Sequence, residues 1–225
     1  MRSFDEILAI AAKRKGGVDA ARSGVIKHLP PEELAGLPDS RWLAAMAHRI
    51  FKAGLNDAVI NRKWSGITEA FNGFEPASIA MMSDEDVANL ASDPRMIRSA
   101  PRVAAIRDNA IFICEAASEF GSFGRHVTDW PVRDQAGLIS WLMKNGSYLG
   151  GNSAQYVLRL IGKESWLLTT SVVARLEAEG VEIGKSRSVA TLNRAQAAFN
   201  HWQDESGESL NMISHVLAVS IDNPR

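Results

Sequence analysis

The stretch from Lys144 to Arg175 limits the architecture more than any other part of the chain. An apolar-periodic segment (Leu138, Ile139, Trp141, Leu142) stops at Lys144-Asn145-Gly146, and a second one begins after Gly150-Gly151-Asn152-Ser153 and runs to Gly162. Glycine adopts positive φ without steric cost, so it ends helices and closes tight turns. The spacing therefore predicts two helices joined by a glycine-bearing turn, the layout of a helix-hairpin-helix. In that layout the turn's backbone N–H groups and the N-terminus of the second helix face outward and form an anion site. A phosphate of duplex DNA held there by Lys144, Gly146, Leu149, Gly150, Gly151, Asn152 and Ser153 is gripped without any base being read. The same residues suit a plain connection between two bundle helices, with Gly146 as a C-cap, and the pattern alone leaves both readings open.

Composition narrows the class without deciding it. With 225 residues, 46% of them hydrophobic and 23% charged, the chain can bury one sizeable core or two closely packed helical lobes. A formal net charge of -1 announces no polyanion partner, so any nucleic-acid face must come from local clustering. Arg95, Arg98, Arg102 and Arg107 are ordinarily a solvated face; with Lys144 and the hairpin they can instead form a phosphate-binding rim. Cys114, the one cysteine, lies in the run Ala110-Ile111-Phe112-Ile113-Cys114, which predicts a buried, inert thiol and excludes an intrachain disulfide. The five histidines share no ligand-like spacing, so neither a metal site nor a cofactor is expected. The N-terminus lacks a secretory pattern and no apolar run is long enough to span a bilayer, which predicts a cytoplasmic protein that does not engage membranes.

Along the chain, residues 1–38 form an N-terminal helical arm, with a first helix at Phe4 to Lys15 and breaks at Leu29-Pro30-Pro31 and Leu37-Pro38. Residues 39–225 form the body. Asp39 is placed to cap a helix burying Trp42, Leu43, Met46, Ala47 and Ile50, and a second helix follows from Asn56 or Asp57. Ser83-Asp84-Glu85-Asp86 has the form of a capping box. A helix from Pro101 to about Phe120 carries proline in its first turn, where a missing N–H costs nothing. Three more helices are expected near Thr170 to Glu179, Ser188 to Gln203 and Leu210 to Val219. No alternating β pattern of useful length occurs, and the chain reads as all-α. Trp42, Trp141, Trp166 and Trp202 fall on apolar helical faces and are expected in the core, whereas Trp64 is the better candidate for a binding cleft.

Two stretches carry a family resemblance. Phe74-Glu75-Pro76, then Met81-Met82, then Asp86-Val87, then the run from Ile97-Arg98 through Arg102, Val103 and Ala105 to Asn109-Ala110 resemble the central region of the 3-methyladenine DNA glycosylase I family. That family shows F-D-P, M, D-V and I-R-x-x-x-K-I-x-A-x-x-x-N-A in this order, and the hairpin stretch matches its following block in spacing. The resemblance covers about Arg41 to Arg175. It implies a helix-hairpin-helix DNA glycosylase-like fold of two helical lobes with a central cleft, acting on double-stranded DNA as a monomer in base-excision repair. A lesion base is flipped out and its N-glycosidic bond hydrolysed.

The same resemblance assigns the site and marks its departures. Ala53-Gly54-Leu55 matches the family's A-G-L, so Gly54 and Leu55 are expected to contact DNA, with Leu55 as the apolar wedge. The family's base-recognising glutamate is replaced by Arg49 and its stacking tryptophan by Asp57. The expected lesion pocket comprises Arg49, Phe51, Lys52, Asn56, Trp64 and Ser171, the last standing where related glycosylases place an aspartate. Asp57 either supplies the lost negative charge as the candidate catalytic group or simply caps a helix. The family's zinc ligands have no counterpart here, so the chain is expected to be zinc-free. Two other readings stay open: a DNA-binding module that no longer excises bases, and a plain helical interaction domain.

Overall fold

The computed structural model describes residues 1–54, 56–184 and 186–222, and over these residues the chain is all-α, without strands. Seven helices precede the middle of the chain: α1 Phe4–Lys15, α2 Val18–Arg22, α3 Pro31–Ala35, α4 Asp39–Lys52, α5 Asp57–Ala70, α6 Pro76–Ala80 and α7 Asp84–Ser92. Seven more follow: α8 Ala100–Phe120, α9 Phe123–Asp129, α10 Gln135–Asn145, α11 Ser153–Ile161, α12 Thr170–Ala178, α13 Val189–Ser206 and α14 Leu210–Val219. Among the described residues no helix is long and apolar enough to cross a membrane.

Local signals fix most helix ends. Ser3 Oγ accepts the Glu6 N–H while the Glu6 carboxylate accepts the Ser3 N–H, so α1 opens on a capping box. The Ser83 and Asp86 pair does the same for α7, as its sequence predicts. At α4 the expectation fails: Pro38 occupies the N-cap, and Asp39 is the first helical residue, without a capping bond. The Asp39 carboxyl is instead pushed up by burial and by Glu75, and partly held down by the Gly124 backbone. Two short helices not expected from the sequence also occur here, α2 before the first proline break and α3 between the two.

The chain divides into two compact units. The first comprises Met1–Leu29, Trp130–Ser140 and the stretch from Gly162 onward. In it α1 packs on α2, α13 and α14, so the N-terminal helix is built into the same core as the C-terminal ones. The Glu179 carboxylate is buried, accepts from the Arg2 backbone N–H at 2.9 Å and guanidinium at 2.7 Å, and pairs with buried Arg175 at 3.3 Å. Arg175 also donates to the Ser220 hydroxyl and carbonyl, which ties both ends of the unit together.

The second unit comprises Pro30–Asp129 and Trp141–Ile161, with the long helix α8 at its centre packed by α4, α6, α7 and α9, while α11 lies on α4. Trp42 and Trp202 are buried on helical faces as predicted, whereas Trp166, also buried, lies in the non-helical stretch between α11 and α12. Trp141 is only half-buried, set among Phe112, Phe123 and His126. Cys114 is half-buried rather than fully buried; burial and nearby Asp39, Glu75 and Glu115 push its thiol pKa up, which leaves it unreactive.

Candidate nucleic-acid interface and base pocket

α8 supports two turns through two polar side chains. Asn109 is buried in the middle of this helix. Its amide nitrogen donates to the Ser147 carbonyl at 2.9 Å, and its amide oxygen accepts the Ser147 N–H at 3.1 Å. The α10–α11 turn is thereby held at both backbone groups of one residue. Two helical turns earlier, Arg102 donates to the Ala53 carbonyl at 2.6 Å and fixes the end of α4. One face of one helix therefore sets the positions of both turns expected to meet DNA.

The α10–α11 turn runs from Gly146 to Asn152. Gly146 carries no side chain because Leu149 packs over it, and an added Cβ would also lie 2.9 Å from the Leu142 carbonyl oxygen. Leu149 is fully buried, so its side chain is core and only its backbone is available for a DNA contact. Gly151 has φ of 61° with open space around its α-carbon. Gly150, Gly151 and Lys144 are exposed, and Asn152 and Ser153 are half-buried at the start of α11. Tyr148, with φ of 60°, is the other left-handed residue of the turn.

The α4–α5 turn is different. Ala53 ends α4 and Gly54 turns the chain with φ of 74°; Leu55, the expected wedge, lies outside the described residues. Asn56, not Asp57, caps α5, its side-chain oxygen accepting the Ala58 N–H at 2.8 Å. Asp57 is the exposed first residue of that helix and pairs with Lys52 Nζ at 3.0 Å. The Arg49 guanidinium lies 4.3 Å from the centre of the Tyr156 ring on α11, a cation–π contact. Phe51 is fully buried and is core.

A cavity of about 180 Å³ opens on the neighbouring face of α4, lined by Arg41, Ala44, Ala45, His48, Trp64, Leu160 and Ile161. Trp64 forms its aromatic wall: its ring stacks on Phe74 with centroids 5.5 Å apart, and His48 meets it edge-on at 4.7 Å. Burial and then Lys52 lower the His48 pKa, opposed by its hydrogen bond with Asn61 and by Asp57, so the cavity presents a neutral imidazole at pH 7. Among the described residues no carboxylate lines it. Of the pocket residues expected from sequence, Trp64 lines this cavity, and Arg49, Phe51, Lys52 and Asn56 do not. Ser171 belongs to the first unit, on α12, where it borders a shallow depression with Arg14, Lys15, Ala218 and Asp222.

The arginine rim is largely committed to internal contacts. Arg95 pairs with Asp93 at 2.6 Å and holds that carboxyl down at about 2. Arg107 bonds the Met82 carbonyl and Asp84. Arg98 and Lys144 are exposed. Among the described residues no group of three or more His, Cys, Asp or Glu side chains converges as a metal site would require. Sequence reasoning missed Arg41, His48, Leu160 and Ile161 at the cavity, and it quoted Asn109 without giving it a role. An asparagine inside an apolar-periodic helix is itself a signal, because a buried amide must find partners.

The molecule is thus an all-α protein with a helical hairpin braced against its longest helix. Residues 38–140 match the family model of the methyladenine glycosylases. Over that segment, 103 of the 225 residues, the chain is similar to the methyladenine glycosylases. The matched span ends inside α10, so the hairpin turn lies beyond it. Among solved structures, a crystal structure of 3-methyladenine DNA glycosylase I is similar, with a TM-score of 0.47 and 23% identity over 63% of this chain and 92% of that one. Among curated proteins none matches.

Proposed function

We propose that this protein is a monofunctional DNA glycosylase that grips duplex DNA at the α10–α11 turn and releases an alkylated purine such as 3-methyladenine. The observation that carries the reading is the bracing of both expected DNA-contact turns by α8, from Arg102 to Ala53 and from Asn109 to Ser147, in a chain whose residues 38–140 match the methyladenine glycosylases. Gly150 and Gly151 leave backbone N–H groups accessible at the start of α11, where the helix dipole favours a phosphate oxygen.

The chemistry asks little of the protein. A purine alkylated at N3 is a cation while joined to deoxyribose, so the pair of electrons in the C1′–N9 bond leaves with the base and neutralises it. Water adds its oxygen to C1′ and gives up a proton to solvent, and no covalent enzyme intermediate forms. What the protein supplies is extrusion of one nucleotide and a place for the base. The Ala53-Gly54-Leu55 turn serves extrusion, and the cavity walled by Trp64 and His48 receives the base. The test is release of free 3-methyladenine from methylated DNA by the purified chain. Release above a spontaneous-depurination control is expected, and no release overturns the reading.

One observation favours a second reading, a DNA-binding module without excision. Arg49 is engaged by Tyr156, Asp57 by Lys52, and among the described residues the cavity has no carboxylate to attract a cationic base. This reading expects salt-dependent duplex binding and no base release. The double variant Arg49→Glu with Asp57→Trp separates the two: a gain of excision shows that only the recognition groups had changed.

A further inference from the structure

Left-handed backbone crowds a bulky side chain against its own carbonyl, so it persists where something compensates. Phe74, with φ of 64°, shows such compensation, since its ring is fully buried and stacked between Phe71 and Trp64. Tyr148, with φ of 60°, shows no such ring stacking. Its side chain is 53% exposed, and among the described residues its ring meets no other ring and its hydroxyl makes no hydrogen bond. The flanking residues explain how the conformation is enforced: Ser147 is clamped at its N–H and C=O by buried Asn109, and Leu149 is buried over Gly146. Glycine or asparagine would meet the backbone demand with less strain.

We propose that the compensating contact is intermolecular and that Tyr148 is a duplex-contact residue, its ring packed on a deoxyribose and its hydroxyl on a phosphate next to the one held at Gly150-Gly151. The assignment rests on the hairpin reading above and adds to it a side chain that reaches the backbone of the nucleic acid. Tyrosine carries no charge, so its contact adds affinity without releasing a counterion, which distinguishes it from the lysine beside it.

The experiment is titration of a fluorescent duplex with the full chain at several salt concentrations, for wild type, Tyr148→Asn, Tyr148→Gly and Lys144→Ala, with a thermal melt of each. Tyr148→Asn is expected to bind about tenfold more weakly with an unchanged salt slope and to melt about 3 °C higher, because the strain is relieved. Lys144→Ala is expected to flatten the salt slope by about one unit. Wild-type affinity in both Tyr148 variants, or a lower melting temperature in both, overturns the assignment while leaving the hairpin reading standing. A wild-type chain that fails to bind the duplex overturns the hairpin reading, and the Tyr148 assignment with it.

Discussion

The two turns braced by α8 have opposite characters. At the α10–α11 turn the polar groups that the protein uses are backbone groups of Ser147, and the exposed residues Lys144, Tyr148, Gly150 and Gly151 are left facing solvent. At the α4–α5 turn the charged side chains satisfy one another: Lys52 with Asp57, Arg49 with Tyr156, and the Ala53 carbonyl with Arg102. The first leaves its exposed groups facing solvent, whereas the second has closed on itself. On the function proposed above, binding and base recognition rest on separate parts of the second unit, and substitutions at the two turns are expected to act independently.

The largest effect should come from breaking the grip alone. Gly151 has positive φ and nothing within 4 Å of an added Cβ, so Gly151→Glu fits sterically while adding backbone strain and a negative charge where a phosphate should sit. Duplex affinity is expected to fall about a hundredfold or more, measured by the same titration, with the folded state retained by circular dichroism. Intact affinity would mean that this turn is an ordinary helix connection. Next in size is Gly146→Ala, which forces a methyl group against Leu149 and the Leu142 carbonyl. Overpacking of this kind costs about 1–3 kcal/mol in chemical denaturation, and a second loss, in binding, should accompany it as the turn shifts.

How legible this was from sequence follows the same division. The ends of α10 and α11 could be placed because glycine, serine and asparagine break an apolar period in a way that backbone sterics make hard to mistake. The α7 capping box and the proline at the start of α8 were readable for the same local reason. The pocket was not. Its wall joins His48 on α4 to Trp64 on α5 and to Leu160 at the end of α11, and no local pattern states which of the faces of α4 meets those partners. Arg49 and His48 are adjacent in sequence, yet one stacks on Tyr156 and the other lines the cavity. Capping went wrong by a single residue at both ends of interest, Asp39 and Asp57, since proline and asparagine immediately before them already occupied the caps.

A smaller effect tests the cavity rather than the grip. The His48 pKa is depressed in the folded state, chiefly by burial and then by Lys52. The unfolded chain therefore takes up a proton below about pH 6.5 that the folded chain refuses, and His48 lowers stability as pH falls from there toward its folded value. Wild-type protein should melt lower at pH 5.5 than at pH 7.5, and His48→Gln should narrow that gap without changing duplex affinity at pH 7.5. An unchanged gap would mean that His48 titrates as it does in solvent and that the cavity is wetter than its lining implies. His126, depressed in the same direction by burial, contributes in the same sense and is left untouched by the substitution.

The smallest stability effect carries the sharpest functional question. Asp57 is exposed and its partner Lys52 is half-buried, so their 3.0 Å ion pair is of the kind that contributes about 0–1 kcal/mol. Asp57 also sits in the first turn of α5, where its charge favours the helix dipole by a few tenths of a kcal/mol. Asp57→Asn keeps the shape, loses both contributions, and should shift the unfolding free energy by about 1 kcal/mol or less. Excision reads the same substitution differently. If Asp57 only anchors Lys52, base release should survive nearly unchanged, because departure of a cationic base needs no general acid. If Asp57 has taken over attraction of the cationic base, release should fall at least tenfold while duplex affinity stays put. The second outcome would place the recognition charge on α5, eight residues after Arg49, and would show that the self-paired turn opens when DNA is bound.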